Sequence, residues 1–235
     1  MATIYLIRHG QASFGAENYD KLSELGCRQA VVTGEYFRDT GVCFDAVYSG
    51  DLSRQRETAR LALENQPNAV PHHIDPRLNE IQNDAQVKYL MPEVIKINPA
   101  IQALVEKGLS SSKDYQKVID AVFNFWVSPA CSDSRLQSWA EFSGGTRQAI
   151  ADVVQEQGSG KTVGIFTSGG PLATIVAQVL GLGGEHTYQF YEPILNCSVT
   201  QLFYSKSKIS LSYFNDSSFL QVLGKQRGEE LLSYR

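Results

Sequence analysis

The sequence predicts an α/β protein built as a three-layer α/β/α sandwich around a mostly parallel central sheet. Short apolar strands alternate with amphipathic helical segments along most of the 235 residues. Hydrophobic residues make up 43% of the chain, which is enough for a full core. Polar clusters follow three of the strands, as they do where α/β sheets bind ligands. The length favours one domain over residues 1–235.

The first half of the chain shows the alternation clearly. The stretch "ATIYLI" is apolar on both faces, which suits a central strand covered by helices on both sides. A helix is predicted from Ser23, its N-cap, to just before Gly41. The stretch "FDAVYS" predicts the second strand, "DLSRQRETARLALEN" the second helix, and "AVPHHI" a weaker third strand.

Residues 82–140 interrupt this pattern with three prolines and a run of serines, and we interpret them as an inserted helical cap. The alternation then resumes with a helix near 139–157, the strand "TVGIFT" and a helix from Pro171 to Leu180. The strands "SVTQLFYS" and "KISLSYFN" are predicted to form a hairpin. The polar ending "GKQRGEELLSYR" is predicted to be loosely held.

Charge and composition exclude several classes of partner. A net charge of −4 and a pI near 5.6 give no electrostatic reason to expect nucleic-acid binding. The apolar stretch at the start is short and is interrupted by Arg8, so neither a signal peptide nor a membrane span is expected. The four cysteines are far apart and show no metal-ligand spacing, which predicts reduced thiols, no metal site and a cytoplasmic protein.

Three polar clusters at strand ends predict a phosphate site. The tripeptide "RHG" follows the first strand, "SGDLSR" follows the second, and "TSGG" follows the later strand. The guanidinium groups of Arg8 and Arg54 can each direct two N–H donors onto phosphoryl oxygens. The amides that open the helix at Pro171 can add anion-binding donors.

His9 lies between these cations and is the candidate nucleophile. Two nearby guanidinium groups disfavour the imidazolium form, so His9 is expected to be neutral. One ring nitrogen could then attack phosphorus while a backbone carbonyl holds the other. The expected product is a phosphohistidine intermediate.

These motifs together resemble those of the histidine phosphatase superfamily, which includes phosphoglycerate mutases and many phosphatases. "IYLIRHGQ" resembles the opening motif of the family and "LSELGCRQA" its L-[ST]-x-x-G-x-x-Q-A segment. "YSGDLSRQRETA" resembles S-x-L-x-R-A-x-[QE]-T-A, which implies that Arg54 is the second phosphate-binding arginine. "RLNEI" resembles the segment with the acidic proton donor, which implies that role for Glu80. The resemblance covers residues 3–80 and 138–204. We expect no metal and no cofactor.

The chain departs from the family pattern at the second pocket histidine, in the residues after "RHG", and after Glu80, where "IQNDA" replaces a run that usually contains glycine and tryptophan. Ser168 stands where the family has a second pocket histidine, and its hydroxyl and the amides of Gly169 and Gly170 are candidate replacement donors. After "RHG", Gln11 and Ser13 are candidate oxygen ligands, but Gly15 replaces an asparagine expected in mutases.

The first hypothesis is a metal-independent phosphatase that acts on a small phosphorylated metabolite through phospho-His9. The alternatives are a catalytically weak or inactive phosphate-ligand binding protein of the same fold, and a phosphoglycerate mutase. A serine hydrolase is disfavoured, because "FTSGG" lacks the first glycine of G-x-S-x-G. In addition, His186 precedes Asp216 in this chain, whereas in α/β-hydrolases the acid precedes the histidine. The sequence leaves a homodimer open and does not identify the leaving group.

Overall fold

The fold is described from a computed structural model in which residues 2–13, 20–206 and 208–234 are described. Six strands form one sheet in the order β3-β2-β4-β1-β5-β6. The strands are β1 (Ala2–Arg8), β2 (Ala46–Ser49), β3 (His72–Ile74), β4 (Thr162–Thr167), β5 (Val199–Tyr204) and β6 (Ile209–Asp216). The first four are parallel, whereas β5 runs antiparallel to both of its neighbours, β1 and β6.

Nine helices lie in the part of the chain that is described. They are α1 (Glu24–Asp39), α2 (Ser53–Leu63), α3 (Asn83–Ile97), α4 (Pro99–Lys107), α5 (Ser112–Val127), α6 (Trp139–Gln157), α7 (Gly169–Val179), α8 (Thr187–Tyr191) and α9 (Ser218–Arg227). Short 3-10 turns lie at Pro76–Leu78 and Gly184–His186. None of the helices described is both long enough and apolar enough to cross a membrane.

The central strand β1 is covered on both faces, as its apolar sequence predicts. Tyr5 and Ile7 pack with α1, α2 and α9 on one face, whereas Ile4 and Leu6 pack with α6 and α7 on the other. This division follows from the alternation of side chains along a strand. The predicted three-layer α/β/α fold with a mostly parallel sheet is therefore confirmed.

Helices α3, α4 and α5, which we call the α3–α5 segment (residues 83–127), share a separate hydrophobic cluster. Phe123 and Trp126 are buried at its centre, and Tyr188 of α8 packs against Phe123. Leu90 and Val94 of α3 complete the contact with α5. The interpretation of residues 82–140 as an inserted cap stays a prediction.

The C-terminal residues correct one expectation. The prediction that they are loosely held was wrong, because α9 packs on the sheet and Leu231 is buried. The Gln29 amide donates to the Leu231 carbonyl at 2.8 Å, and the Asn196 amide donates to the Ser233 carbonyl at 3.0 Å. Side-chain polarity gave no sign of this, because much of the anchoring uses backbone carbonyls.

Candidate active site

A cavity of about 620 Å³ opens at the carboxyl edge of the parallel strands. Arg8 ends β1, while Arg54 belongs to the first turn of α2, just after β2. The cavity is lined by Arg8, His9, Arg54, Glu80, Ile81, Gln82, Asn83, Asp84, Ala85, Gln116, Ile119, Tyr188, Tyr191, Glu192 and Tyr234. The fold thus brings together four of the residues that the sequence analysis singled out.

His9 is held in one orientation by a contact at each ring nitrogen. His9 is only 4% exposed. Its Nδ1 lies 2.7 Å from the Gly10 carbonyl, and its Nε2 lies 3.1 Å from Arg54 Nε. A carbonyl only accepts, so Nδ1 carries the proton, and Nε2 accepts from the guanidinium. Burial, followed by the charges of Arg8 and Arg54, holds the pKa of His9 well below its usual range. The neutral ring therefore has its lone pair on Nε2, facing the cations.

Arg54 connects His9 to a carboxylate that the sequence analysis missed. Its Nη1 donates to Asp20 Oδ1 at 2.7 Å, and the amide of Ser53 donates to Asp20 Oδ2 at 2.7 Å. Asp20 therefore also satisfies a free amide at the start of α2, where the N-cap residue Leu52 makes no side-chain capping bond. The one signal in the sequence was a helix that begins without a capping side chain.

Arg8 is held from the opposite side by the C-terminal part of the chain. Its Nη1 donates to the carbonyls of Ile194 and Tyr234, the latter at 3.1 Å. Its Nε is buried and has no hydrogen-bond partner among the described residues. The guanidinium is thus fixed beside His9 with one buried donor unused, and Tyr234 is a second cavity residue that the sequence analysis missed.

Glu80 reaches the cavity from the segment that follows the Pro76–Leu78 turn. Its Oε1 accepts from the amides of Ile81 at 3.0 Å and Gly170 at 2.9 Å. Burial raises the pKa of Glu80, and this effect exceeds the opposing influence of Arg54, Arg8 and the two amides. The carboxyl group therefore retains a proton to higher pH than a solvated glutamate, which suits a general acid.

Ser168 lies behind the cavity wall and does not line it. The residue is fully buried, and its Oγ accepts from Gln55 Nε2 at 2.9 Å. The same amide donates to the carbonyl of Leu78 at 3.0 Å. Gln55 stands where the family pattern has alanine. This difference was the feature of the sequence that could have indicated the hydrogen bond between Gln55 and Ser168. The predicted role of Ser168 as a phosphate ligand stays a prediction.

The two glycines after Ser168 are enclosed by site residues. Helix α7 begins at Gly169, two residues earlier than predicted. A Cβ on Gly169 would lie 2.7 Å from the ring of Tyr191, and one on Gly170 would lie 2.4 Å from Glu80 Oε1. The backbone there must be glycine for Tyr191 and Glu80 to approach so closely. The Gly170 amide contacts Glu80, while phosphate binding by Gly169 stays a prediction.

Gln11 and Ser13 lie near the start of α1 and are not among the described residues that line the cavity. Gln11 Oε1 accepts from Ser23 Oγ at 2.8 Å, and Ser13 Oγ donates to the Leu22 carbonyl at 3.0 Å. These bonds hold both side chains at the segment that leads into α1, and their role as oxygen ligands stays a prediction. Gly15 lies outside the described residues.

Comparison with known proteins places this site in a family. The family profile described as histidine phosphatase superfamily (branch 1) matches residues 4–217. A 2,3-bisphosphoglycerate-dependent phosphoglycerate mutase of Allorhizobium ampelinum is 33% identical over 69 residues, which are 27% of this chain and 33% of that protein. A second such mutase, from Latilactobacillus sakei, is 36% identical over 87 residues, 34% of this chain and 38% of that protein. The chain thus matches only about a third of the length of these curated relatives.

Solved structures resemble the chain over nearly its whole length. Bacillus stearothermophilus YhfR aligns with a TM-score of 0.68 at 21% identity, covering 93% of this chain and 99% of that one. A phosphoserine phosphatase of Entamoeba histolytica in complex with phosphoserine aligns with a TM-score of 0.65 at 19% identity, covering 94% and 100%. A mycobacterial glucosyl-3-phosphoglycerate phosphatase gives 0.61 at 20% identity, covering 92% and 99%. These similarities establish the fold, and because the profile spans most of the sequence, the chain belongs to branch 1 of the histidine phosphatase superfamily.

Proposed function

We propose that this protein is a phosphatase that hydrolyses a small phosphorylated metabolite through a phosphohistidine at His9, without a metal ion. The observation that carries the proposal is the orientation of the ring. Nδ1 faces the Gly10 carbonyl, so the lone pair of Nε2 points toward Arg54 inside the cavity. A neutral imidazole held between two cations is a nucleophile poised for an anionic substrate.

In the first step, the Nε2 lone pair of His9 attacks phosphorus and forms the N–P bond. The bond between phosphorus and the ester oxygen breaks, and its electron pair stays on that oxygen. Glu80 donates its proton to the oxygen, and the alcohol leaves. The raised pKa of Glu80 supports this role, because the group must be protonated before it can act as an acid.

In the second step, water attacks the phosphorus of phospho-His9. The Glu80 carboxylate accepts a proton from that water, the N–P bond breaks, and its electron pair returns to Nε2. Inorganic phosphate is released, and both residues regain their starting protonation states. One carboxyl group thus serves as acid and then as base, so each proton is accounted for.

Arg8 and Arg54 are proposed to carry the negative charge of the phosphoryl group. Arg54 Nε contacts the attacking nitrogen before substrate arrives, at 3.1 Å, so a bound phosphoryl oxygen must take over that donor. Asp20 holds the guanidinium by Nη1 during this exchange. Arg8, held by the carbonyls of Ile194 and Tyr234, is the second guanidinium group beside the phosphoryl group.

Ser168 is proposed to lower the rate of this reaction compared with a site that has a second histidine. Its hydroxyl is engaged with Gln55 behind the cavity wall. The loss of one preorganised donor costs about 10²–10³ in rate. The same observation favours the second candidate, a phosphate-ligand binding protein with little turnover. Calorimetry with a phosphomonoester distinguishes them, because heat of binding without phosphate release over hours supports the binding protein.

The phosphatase proposal is tested with p-nitrophenyl phosphate. Hydrolysis is expected in the presence of a chelator and is expected to disappear in His9→Ala. His186→Ala is the matched control, because that histidine is only partly buried and does not line the cavity. Acid-labile, alkali-stable labelling of His9 by radioactive substrate should accompany turnover. Full activity in His9→Ala would refute the proposed nucleophile.

A further inference from the structure

The charged side chains on the cavity lining differ in burial and in partners. The two basic groups, Arg8 and Arg54, lie around His9, and the buried Glu80 carboxyl interacts electrostatically with both. The remaining charged groups on the lining are Asp84, in the first turn of α3, and Glu192, directly after α8. Both carboxylates are exposed at the mouth of the cavity. Among the described residues, no lysine and no third arginine lines the cavity.

Tyrosine rings form part of the same lining. The rings of Tyr188 and Tyr191 lie 5.8 Å apart with 65° between their planes, so they form an aromatic corner. The hydroxyl of Tyr191 accepts from Asn83 Nδ2 at 2.9 Å, and burial raises the pKa of Tyr191 well above its usual value. The phenol therefore remains uncharged at neutral pH. Tyr234 contributes a third ring to the lining.

Aromatic faces and carboxylates share a preference for cations. A ring attracts an ammonium group through its quadrupole, and the attraction grows as water is excluded. Carboxylates at the mouth add attraction for a positive charge and repulsion for a negative one. The phosphate of a monoester can occupy the arginine end, and the rest of the molecule must then extend past the tyrosines toward Asp84 and Glu192.

We propose that the substrate is the phosphate ester of an amino alcohol, with its ammonium group at the tyrosine and carboxylate end of the cavity. This proposal rests on the phosphomonoester site proposed above. A phosphoglycerate fits the same lining poorly, because its carboxylate would face Asp84 and Glu192 with no cation beside it. The charge distribution therefore favours a phosphatase for cationic esters over a phosphoglycerate mutase.

Two small esters of equal length test the proposal. 2-Aminoethyl phosphate carries an ammonium group on a two-carbon chain, and phosphoglycolate carries a carboxylate. Dissociation constants are measured by calorimetry in His9→Ala, in which no turnover disturbs the binding. We expect 2-aminoethyl phosphate to bind about tenfold more tightly, since one exposed charge pair contributes a factor of up to about five and both attraction and repulsion act. Equal affinities, or tighter binding of phosphoglycolate, would overturn the proposal.

Variants of the two carboxylates identify the source of the preference. Combining Asp84→Asn and Glu192→Gln in the His9→Ala background should reduce the affinity ratio to about one to three. Glu93→Gln is the matched control, because this glutamate lies on the same helix as Asp84, pairs with Lys96 and does not line the cavity. A ratio that survives the double variant would refute the assignment to these carboxylates. If the wild type binds selectively but releases no phosphate, the phosphatase proposal fails, while the preference of the cavity for phosphate esters of amino alcohols stands.

Discussion

Gln55 and Ser168 form a buried hydrogen-bonded pair, and substitutions at these two positions test the mechanism. Gln55 Nε2 lies 2.9 Å from Ser168 Oγ, and neither residue is exposed to solvent. An imidazole at position 168 must displace the Gln55 side chain. We therefore expect Ser168→His alone to lower the free energy of unfolding by about 1–3 kcal/mol through overpacking. Its turnover should not rise, because the new ring cannot reach the cavity.

Gln55→Ala has a different expected cost. The Leu78 carbonyl keeps its bond from Thr167 Oγ1 at 2.7 Å, whereas Ser168 Oγ loses its donor. Leaving one buried polar group unsatisfied costs about 1–3 kcal/mol. We expect the imidazole of the double variant to turn toward the cavity, because the glutamine side chain no longer packs against position 168. The added donor should then raise kcat by about 10²–10³, which corresponds to roughly 2.7–4 kcal/mol.

The assay is a double-mutant cycle with p-nitrophenyl phosphate turnover and urea denaturation measured on all four proteins. Ser168→His combined with Gln178→Ala is the control, because Gln178 donates its amide to the Ser143 carbonyl and has no contact with Ser168 in the structure. The reasoning is refuted if the Gln55 double variant is as stable as Gln55→Ala but turns over no faster than the wild type.

Further predictions concern acid–base chemistry and the anchoring contacts. The raised pKa of Glu80 predicts that kcat falls as pH rises through that pKa. In a kcat–pH profile, Glu80→Gln should abolish this pH dependence and lower alkyl phosphate turnover by about 10²–10⁴. The pKa of His9 is depressed in the folded protein, so the contribution of His9 to stability is present above pH 6.5 and is lost as pH falls toward that depressed pKa. Thermal unfolding should show a smaller loss of stability at low pH in His9→Gln than in the wild type. Asp20→Asn should raise KM for p-nitrophenyl phosphate more than it lowers kcat, because Arg54 loses its ion pair, and an unchanged KM would contradict that role. Gln29→Ala should lower the urea unfolding free energy by about 1–3 kcal/mol, because it releases the C-terminal segment.

The sequence predicted the sheet and most helices because their signals are local. Helix α1 begins after Ser23, whose Oγ accepts from the Gly26 amide at 3.0 Å, and the predicted hairpin is confirmed as β5 and β6. Those local signals could not predict the order of the strands in the sheet. The placement of β4 between β1 and β2 depends on pairing between distant segments, such as Arg8 with Thr167.

The candidate site was predictable where a motif marks a strand end and not where a contact crosses the chain. Arg8, His9, Arg54 and Glu80 come together as the resemblance implied. Asp20 and Tyr234 were missed because each reaches the site through a partner far away in sequence. The same cause hid the burial of the last residues, since a carbonyl accepts a bond whatever side chain it carries.

The hold on Arg8 joins the first strand to residue 234 and therefore ties ligand affinity to global folding. A partly folded species that has formed the parallel sheet but not docked its C-terminal segment would have this arginine misplaced and would bind phosphate weakly. An anion that binds only the finished state shifts the folding equilibrium toward that state by mass action. Phosphate affinity therefore reports whether the segment that contains Tyr234 has docked against Arg8.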